Sequence, residues 1–113
     1  LYQEGVGIPV DKHQAEYWFR QAISVGDRMY APSNLGDLYR KGGPGFPVSL
    51  PLAMQAYRLS EDPYAHYRIG QAYEEGWNGD PDPEKAFYWY RKAADEGHHL
   101  AIRRLRKADG EEE

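Results

Sequence analysis

The sequence predicts an all-α fold, a solenoid of about three stacked helix pairs without β-strands. The first indication is a glycine pattern: residues 35–42 and 69–76 both read apolar-Gly-x-x-Tyr-x-x-Gly, 34 positions apart. The second is a motif in residues 15–26 and 86–97, which begins with Ala, continues with Trp and another aromatic residue, and closes on Gly. Two helix-like units that recur every 34–38 residues are typical of helical repeat arrays.

Capping residues predict where each helix begins and ends. Asp11, Ser49 and Asp82 each stand four residues before the first Ala of the second motif, where a side-chain oxygen caps a helix N-terminus. Pro63 and Pro83 suit the first helical position. Glycines are expected to end helices as left-handed caps, at Gly5, Gly26, Gly42, Gly76 and Gly97. The predicted helices lie near 11–25, 30–41, 50–60, 63–75, 83–96 and 98–108, with a helical stub at 1–4.

Gly36 and Gly70 differ from these caps because they lie inside predicted helices. Glycine in a helix interior costs about 1 kcal/mol relative to alanine. Its recurrence at one phase of the repeat therefore indicates a packing role, in which the adjacent helix approaches closely with its row of alanine and aromatic residues.

Composition excludes several functional classes. The chain has 113 residues, a net charge of −4 and no cysteine, which excludes disulfide scaffolds and thiolate zinc sites and argues against nucleic-acid binding. No apolar run reaches the roughly 18 residues of a membrane span, and no signal peptide is visible. The sequence does not distinguish a location in the bacterial envelope or periplasm from one in the cytoplasm. Because the chain starts at Leu1 rather than Met, we expect upstream residues.

Catalytic and metal-binding patterns are also missing from the sequence. The four histidines do not have the spacing of a metal site: they are His13, His66, His98 and His99. No phosphate-binding loop or nucleophile elbow is present. The basic run 103–107 is explained by cations near a helix C-terminus. We therefore expect no enzyme, no catalytic residue, no metal and no cofactor.

The repeats resemble the Sel-one-like repeat (SLR) family of tetratricopeptide-like α/α solenoids. Residues 31–42 and 86–97 match the two helices of the family pattern, and residues 5–11 match the loop between them. The resemblance implies a right-handed α/α superhelix of about three SLR helix pairs. Its divisions would be repeats at roughly 1–26, 27–60 and 61–97, a capping helix at 98–108 and an acidic tail at 109–113. The last helix is read as a cap because Arg106 stands where Gly36 and Gly70 do.

The resemblance also implies that the first helix of each repeat lines a concave, partner-binding groove. Aligned on the family glycine, the predicted groove residues are Tyr30, Ser33, Asp37, Arg40, Lys41, Tyr64, Tyr67, Gln71, Glu74, Glu75, Arg103 and Lys107. Their charge changes from basic to acidic to basic, and tyrosine suits peptide anchoring. The alternative for each residue is a solvated surface charge or packing between repeats.

An unusual loop at 42–48 interrupts the middle repeat, and the following helix is shortened. Phe46 is a possible exposed partner contact, with Pro44 and Pro47 stiffening the loop. The alternative is that Phe46 packs beneath the loop.

The function favoured by this resemblance is a non-catalytic protein–protein interaction scaffold or adaptor, bacterial by preference, that binds a protein or peptide on its concave helix face. Two alternatives remain. One is an immunity protein or inhibitor that neutralises a bacterial toxin, for which the negative net charge suits a basic target. The other is a scaffold segment of a larger multi-repeat regulatory protein. We expect neither nucleic acid nor a membrane span, and the oligomeric state is left open.

Overall fold

The computed structural model of the protein describes residues 11–108 and 110. These residues form six helices: α1 (Lys12–Ser24), α2 (Tyr30–Lys41), α3 (Leu50–Arg58), α4 (Pro63–Glu75), α5 (Pro83–Asp95) and α6 (His99–Ala108). Within the described part of the chain, an isolated bridge between Gly43 and Phe46 is the sole β-type pairing. The all-α prediction is confirmed. The stub at 1–4, the cap at Gly5 and most of the tail at 109–113 lie outside the described residues.

Helices begin at the capping residues that the sequence indicates. The side chains of Asp11, Ser49 and Asp82 each accept the backbone N–H three residues further on, at 3.1–3.3 Å. Asp62 caps α4, whose first residue is Pro63. These bonds satisfy amides that a helix N-terminus otherwise leaves without a partner. Local sequence therefore sets the helix starts.

Consecutive helices pack against one another, and α2 also contacts α4, so that the first helices of successive repeats are neighbours. The stack measures 46 × 29 × 28 Å. Its buried core runs from Leu35 and Leu38 of α2 through Tyr57 of α3 to Ile69 of α4. Stacking neighbours bury a continuous core that no single helix pair could form alone.

The helical glycines lie where tyrosine rings of the next helix cross. A Cβ at Gly36 would stand 2.5 Å from two ring carbons of Tyr57, and one at Gly70 would stand 2.6 Å from Tyr90 Cδ1. Both tyrosines are almost fully buried. The predicted close approach is confirmed, and the aromatic row of α3 and α5 makes it.

The unusual loop turns its phenylalanine inward. Phe46 is 4% exposed; its ring stacks on Tyr39 and meets the edge of His13 at a centroid distance of 5.0 Å. The interpretation of Phe46 as an exposed contact is therefore wrong, because burial of the ring stabilises the loop against α1 and α2. Val48 stays exposed.

The turn between α3 and α4 lacks the glycine that closes the second motif at Gly26 and Gly97, and a serine hydroxyl bonds to its backbone. Ser60 is buried, donates from Oγ to the carbonyl of Met29 at 3.1 Å, and accepts the backbone N–H of Asp62. The hydroxyl thus satisfies backbone groups in a turn that is too short for the family's closing motif.

Among the described residues, the longest helices have 13 residues, and none has the length and apolar character needed to cross a membrane.

Candidate functional site

Side-chain contacts join α2, α4 and α6 into one surface, which we call the α2–α4–α6 face. Tyr64 of α4 donates to Asp37 of α2 at 2.6 Å. At the other end of α4, Glu74 forms an ion pair with Arg104 of α6. These are the helices on which the sequence predicted the groove, and the structure brings them side by side.

Asp37 is the centre of the first cluster on this face. Its Oδ1 accepts from the hydroxyls of Tyr57 and Tyr64 and, at 3.4 Å, from the guanidinium of Arg40. Arg40 also donates from Nε to the Tyr57 hydroxyl at 3.2 Å. Burial, together with the bond to Asp37, raises the pKa of Tyr57 above its ordinary value, so the phenol stays a donor. The cluster links α2, α3 and α4.

Arg68 is a central residue that the sequence analysis missed. Its Nε donates to the Tyr64 hydroxyl at 3.0 Å, and a terminal nitrogen donates to Gln71 Oε1 at 2.5 Å. The guanidinium lies 5.2 Å and 5.6 Å from the ring centroids of Tyr64 and Tyr67, a cation–π geometry. Arg68 follows Tyr64 by four residues and precedes Gln71 by three, and this helical spacing is the signal that could have found it.

The chain of hydrogen bonds continues to the end of α4. Gln71 donates to Glu75 Oε2 at 3.1 Å, and the indole N–H of Trp77 donates to Glu75 Oε1 at 2.8 Å. Trp77 is 8% exposed. Together with the Asp37 cluster, these bonds form one side-chain network from Arg40 to Trp77.

A second cluster surrounds Glu74. Its carboxylate accepts from the Tyr90 hydroxyl at 2.5 Å and from Arg104. The Arg104 hydrogen bond is the main reason that the pKa of Glu74 lies below its ordinary value. The predicted groove residues of α6, Arg103 and Lys107, are exposed. Arg104 stands three residues after Ala101, as Arg68 does after Ala65, so alignment on those alanines could have found it.

His98 directly precedes α6 and packs against α4. Its ring stacks on Tyr64 and on Tyr67, with centroid distances of 6.1 Å and 5.2 Å. Nδ1 accepts the backbone N–H of Leu100 at 3.3 Å. Desolvation, and then the charge of His99, lowers the pKa of His98. Nδ1 can accept this bond only while it carries no proton, and the positive end of the helix dipole also disfavours a charged imidazole.

One predicted groove residue is misplaced. Ser33 is 4% exposed, and its hydroxyl contacts Ser60 Oγ at 3.0 Å and Asp62 at 3.3 Å. The assignment of Ser33 to the partner-binding surface is wrong, because this hydroxyl is used in joining α2 to the α3–α4 turn. Tyr30, which is 72% exposed, and Lys41 remain accessible on α2.

Two other features of the described chain bear on ligand binding, its acidic and histidine side chains and its surface clefts. Residues 11–108 and 110 contain no group of three or more His, Asp or Glu arranged to hold a metal ion. A cleft between α1 and α3, lined by Arg20, Leu35 and Leu52 among others, has a volume of about 180 Å³. Ligand pockets are typically about 300–1,000 Å³, so this cleft is small for one, whereas a shallower cleft along α5, lined by Pro83, Glu84, Phe87 and Arg91, has a volume of about 490 Å³.

The comparisons with known proteins agree with the geometry. The sequence model of the Sel1 repeat matches residues 1–27 and 63–98. The crystal structure of a Sel1 repeat protein from Oxalobacter formigenes superposes with a TM-score of 0.78 at 33% identity, over 93% of this chain and 43% of that one. No curated protein matches the sequence.

A second similar structure is a protective antigen of uropathogenic Escherichia coli strains that displays an SLR fold. It superposes with a TM-score of 0.75 at 27% identity, over 88% of this chain and 22% of that one. This chain thus spans less than half of either protein. Because the family model covers more than half of the sequence and both structures share its stacked helix pairs, the chain belongs to the Sel1 repeat family.

Proposed function

We propose that this protein is a non-catalytic scaffold that binds a protein partner on its α2–α4–α6 face. Sel1 repeats are in general modules of protein–protein interaction, and this chain belongs to that family. The observation that supports this particular face is the side-chain network from Arg40 to Trp77, which joins side chains of α2, α3 and α4 and runs along the face between the buried Tyr57 and Trp77.

The network holds its members in place before any partner arrives. Arg68 is bonded to Tyr64 and Gln71 and lies against two tyrosine rings. Ordering a rotamer-rich side chain on binding costs about 0.5–1.5 kcal/mol, and here much of that ordering is already present. Arginine and tyrosine are also enriched among the residues that contribute most to binding energy. The face is therefore suited to a protein contact.

Site-specific photo-crosslinking tests this assignment in cells of the source organism. Benzoylphenylalanine would replace Tyr30 or Tyr67 on the face, and Tyr88 on α5 would serve as the control, since Tyr88 is 57% exposed and does not belong to the network. We expect Tyr30→benzoylphenylalanine and Tyr67→benzoylphenylalanine to capture the same protein, identified by mass spectrometry. The substitution at Tyr88 should not capture it.

Equal capture from position 88, or none from positions 30 and 67, would contradict the assignment. The identity of the captured protein then separates the possible roles. A toxin whose activity this protein blocks would indicate an inhibitor, whereas a subunit of a larger assembly would indicate an adaptor.

A further inference from the structure

The three helices of the face are basic, although the whole chain has a net charge of −4. They contain seven Lys and Arg residues against three carboxylates. The basic residues are Arg40, Lys41, Arg68, Arg103, Arg104, Arg106 and Lys107, and the carboxylates are Asp37, Glu74 and Glu75. The excess of acid in the sequence therefore lies outside these helices.

All three carboxylates on the face already accept hydrogen bonds from the protein itself. Asp37 accepts from Tyr57, Tyr64 and Arg40. Glu74 and Glu75 each accept from two different side chains as well. Each of these carboxylates therefore already has internal donors, although all three bonds to Asp37 go to Oδ1.

Arg68, by contrast, keeps both its charge and some of its donors. Its two hydrogen bonds go to a hydroxyl and to an amide oxygen, which are neutral acceptors. Among the residues that the structure describes, no carboxylate lies within ion-pair distance of it. A guanidinium has five N–H donors in a planar fork that matches a carboxylate. Arg68 thus has donors to offer a further acceptor.

Arg40 is linked to Arg68 through Asp37 and the Tyr64 hydroxyl. Arg68 Nε is 3.0 Å from the Tyr64 oxygen, that oxygen is 2.6 Å from Asp37 Oδ1, and Arg40 is 3.4 Å from the same Oδ1. Asp37 pairs directly with Arg40 and is linked to Arg68 only through the Tyr64 hydroxyl, so these three charged groups carry a net positive charge. Lys41, exposed at the end of α2, adds to it.

We propose that the α2–α4–α6 face binds an acidic peptide segment of its partner, and that Arg68, beside Arg40, receives a carboxylate of that segment. This inference rests on the proposed function and names the chemistry of the partner. The rings of Tyr64 and Tyr67 lie next to the guanidinium and would contact apolar side chains that flank the carboxylate. A peptide fits better than a nucleic acid, since the net negative charge of the chain would repel an extended polyanion.

Selection from a phage-displayed library of random dodecapeptides tests the proposal. The baits are the wild-type protein, Arg68→Gln, and Arg91→Gln, which removes the same charge from an exposed position on α5. We expect peptides selected on wild type and on Arg91→Gln to be enriched in Asp and Glu. Synthetic copies should bind Arg68→Gln about tenfold more weakly, as for the loss of a hydrogen bond between charged groups, and their affinity should fall as salt is raised.

The possible outcomes separate this inference from the proposed function. Peptides without an acidic bias, or with a basic one, would overturn the inference while leaving the face as the binding surface. Selection of no peptide by the wild-type protein would overturn peptide capture, and equal binding of the acidic peptides to Arg68→Gln would overturn the role of Arg68. Binding of a random single-stranded DNA oligonucleotide at the affinity of the acidic peptides would reject the peptide as the preferred partner. Circular dichroism of each bait establishes that it is folded.

Discussion

Replacing Gly36 with alanine would place a methyl group where the ring of Tyr57 now lies. The added Cβ would stand 2.5 Å from Cδ1 and Cε1 of that ring and 2.8 Å from Cζ. The ring has no room to turn away, because Tyr57 is 0% exposed and its hydroxyl is bonded to Asp37 and Arg40. The substitution therefore forces α2 and α3 apart or breaks the hydroxyl's bonds.

Three contributions set the expected change in unfolding free energy for Gly36→Ala. Overpacking costs about 1–3 kcal/mol, and loss of the bond between Tyr57 and the charged Asp37 costs about 1.5–3 kcal/mol. The higher helix propensity of alanine stabilises the folded protein by about 1 kcal/mol relative to glycine. The protein should lose about 1.5–5 kcal/mol, measured by urea unfolding, and with a slope of about 2 kcal/mol per M its transition midpoint should fall by about 1–2.5 M.

Two further variants identify the source of that loss. Asn34→Ala, on the exposed side of the same helix, should leave stability unchanged or slightly higher. In a Tyr57→Leu background the ring is absent, so adding Gly36→Ala should cost much less than it does in wild type. Unchanged or increased stability of the Gly36→Ala variant, or an equal loss in both backgrounds, would refute the packing argument.

Three other predictions concern single side chains, each measured by thermal or urea unfolding. Phe46→Ala should lose about 3–5 kcal/mol because the ring is buried; a loss below 1 kcal/mol would mean that the ring is exposed. Asp82→Ala should lose about 1 kcal/mol through the missing N-cap, whereas Asp82→Asn should be nearly neutral. The pKa of His98 is lowered in the folded state, so the unfolded chain takes up the proton first as the pH falls through about 6.5. Wild type should therefore lose more stability than His98→Asn between pH 7.5 and 5.5, and equal losses would contradict the neutral cap.

Much of the α2–α4–α6 face could not be predicted because residues that bond to one another there are far apart along the chain. Tyr64 and Asp37 are 27 residues apart, and Arg104 and Glu74 are 30 apart. Asp37, Tyr64 and Glu74 were predicted as groove residues, but the repeat pattern does not show that Tyr64 bonds to Asp37 or that Glu74 bonds to Tyr90 and Arg104. Arg68 was missed for a different reason: its partners Tyr64, Tyr67 and Gln71 lie within four residues of it, but Arg68 is not one of the positions aligned on the family glycine.

Ser33 shows where a pattern by itself misleads. Its position in the repeat is that of a groove residue, yet the short α3–α4 turn places Ser60 and Asp62 against its hydroxyl. The sequence did show that this turn lacks a glycine. How the chain compensates depends on which donors and acceptors the folded turn brings together.

The sequence by itself determined the helices, their starting caps and the solenoid, because caps and helical periodicity act between residues a few positions apart. It also determined the contact at Gly36 and Gly70, since a glycine repeated at one helical phase leaves room for a ring. Only the tertiary structure decided which charges remain available. Stacking of α2, α4 and α6 satisfies the carboxylates of Asp37 and Glu74 internally and leaves donors on Arg68. The physical reason is that a hydrogen bond depends on distance and direction in the folded chain.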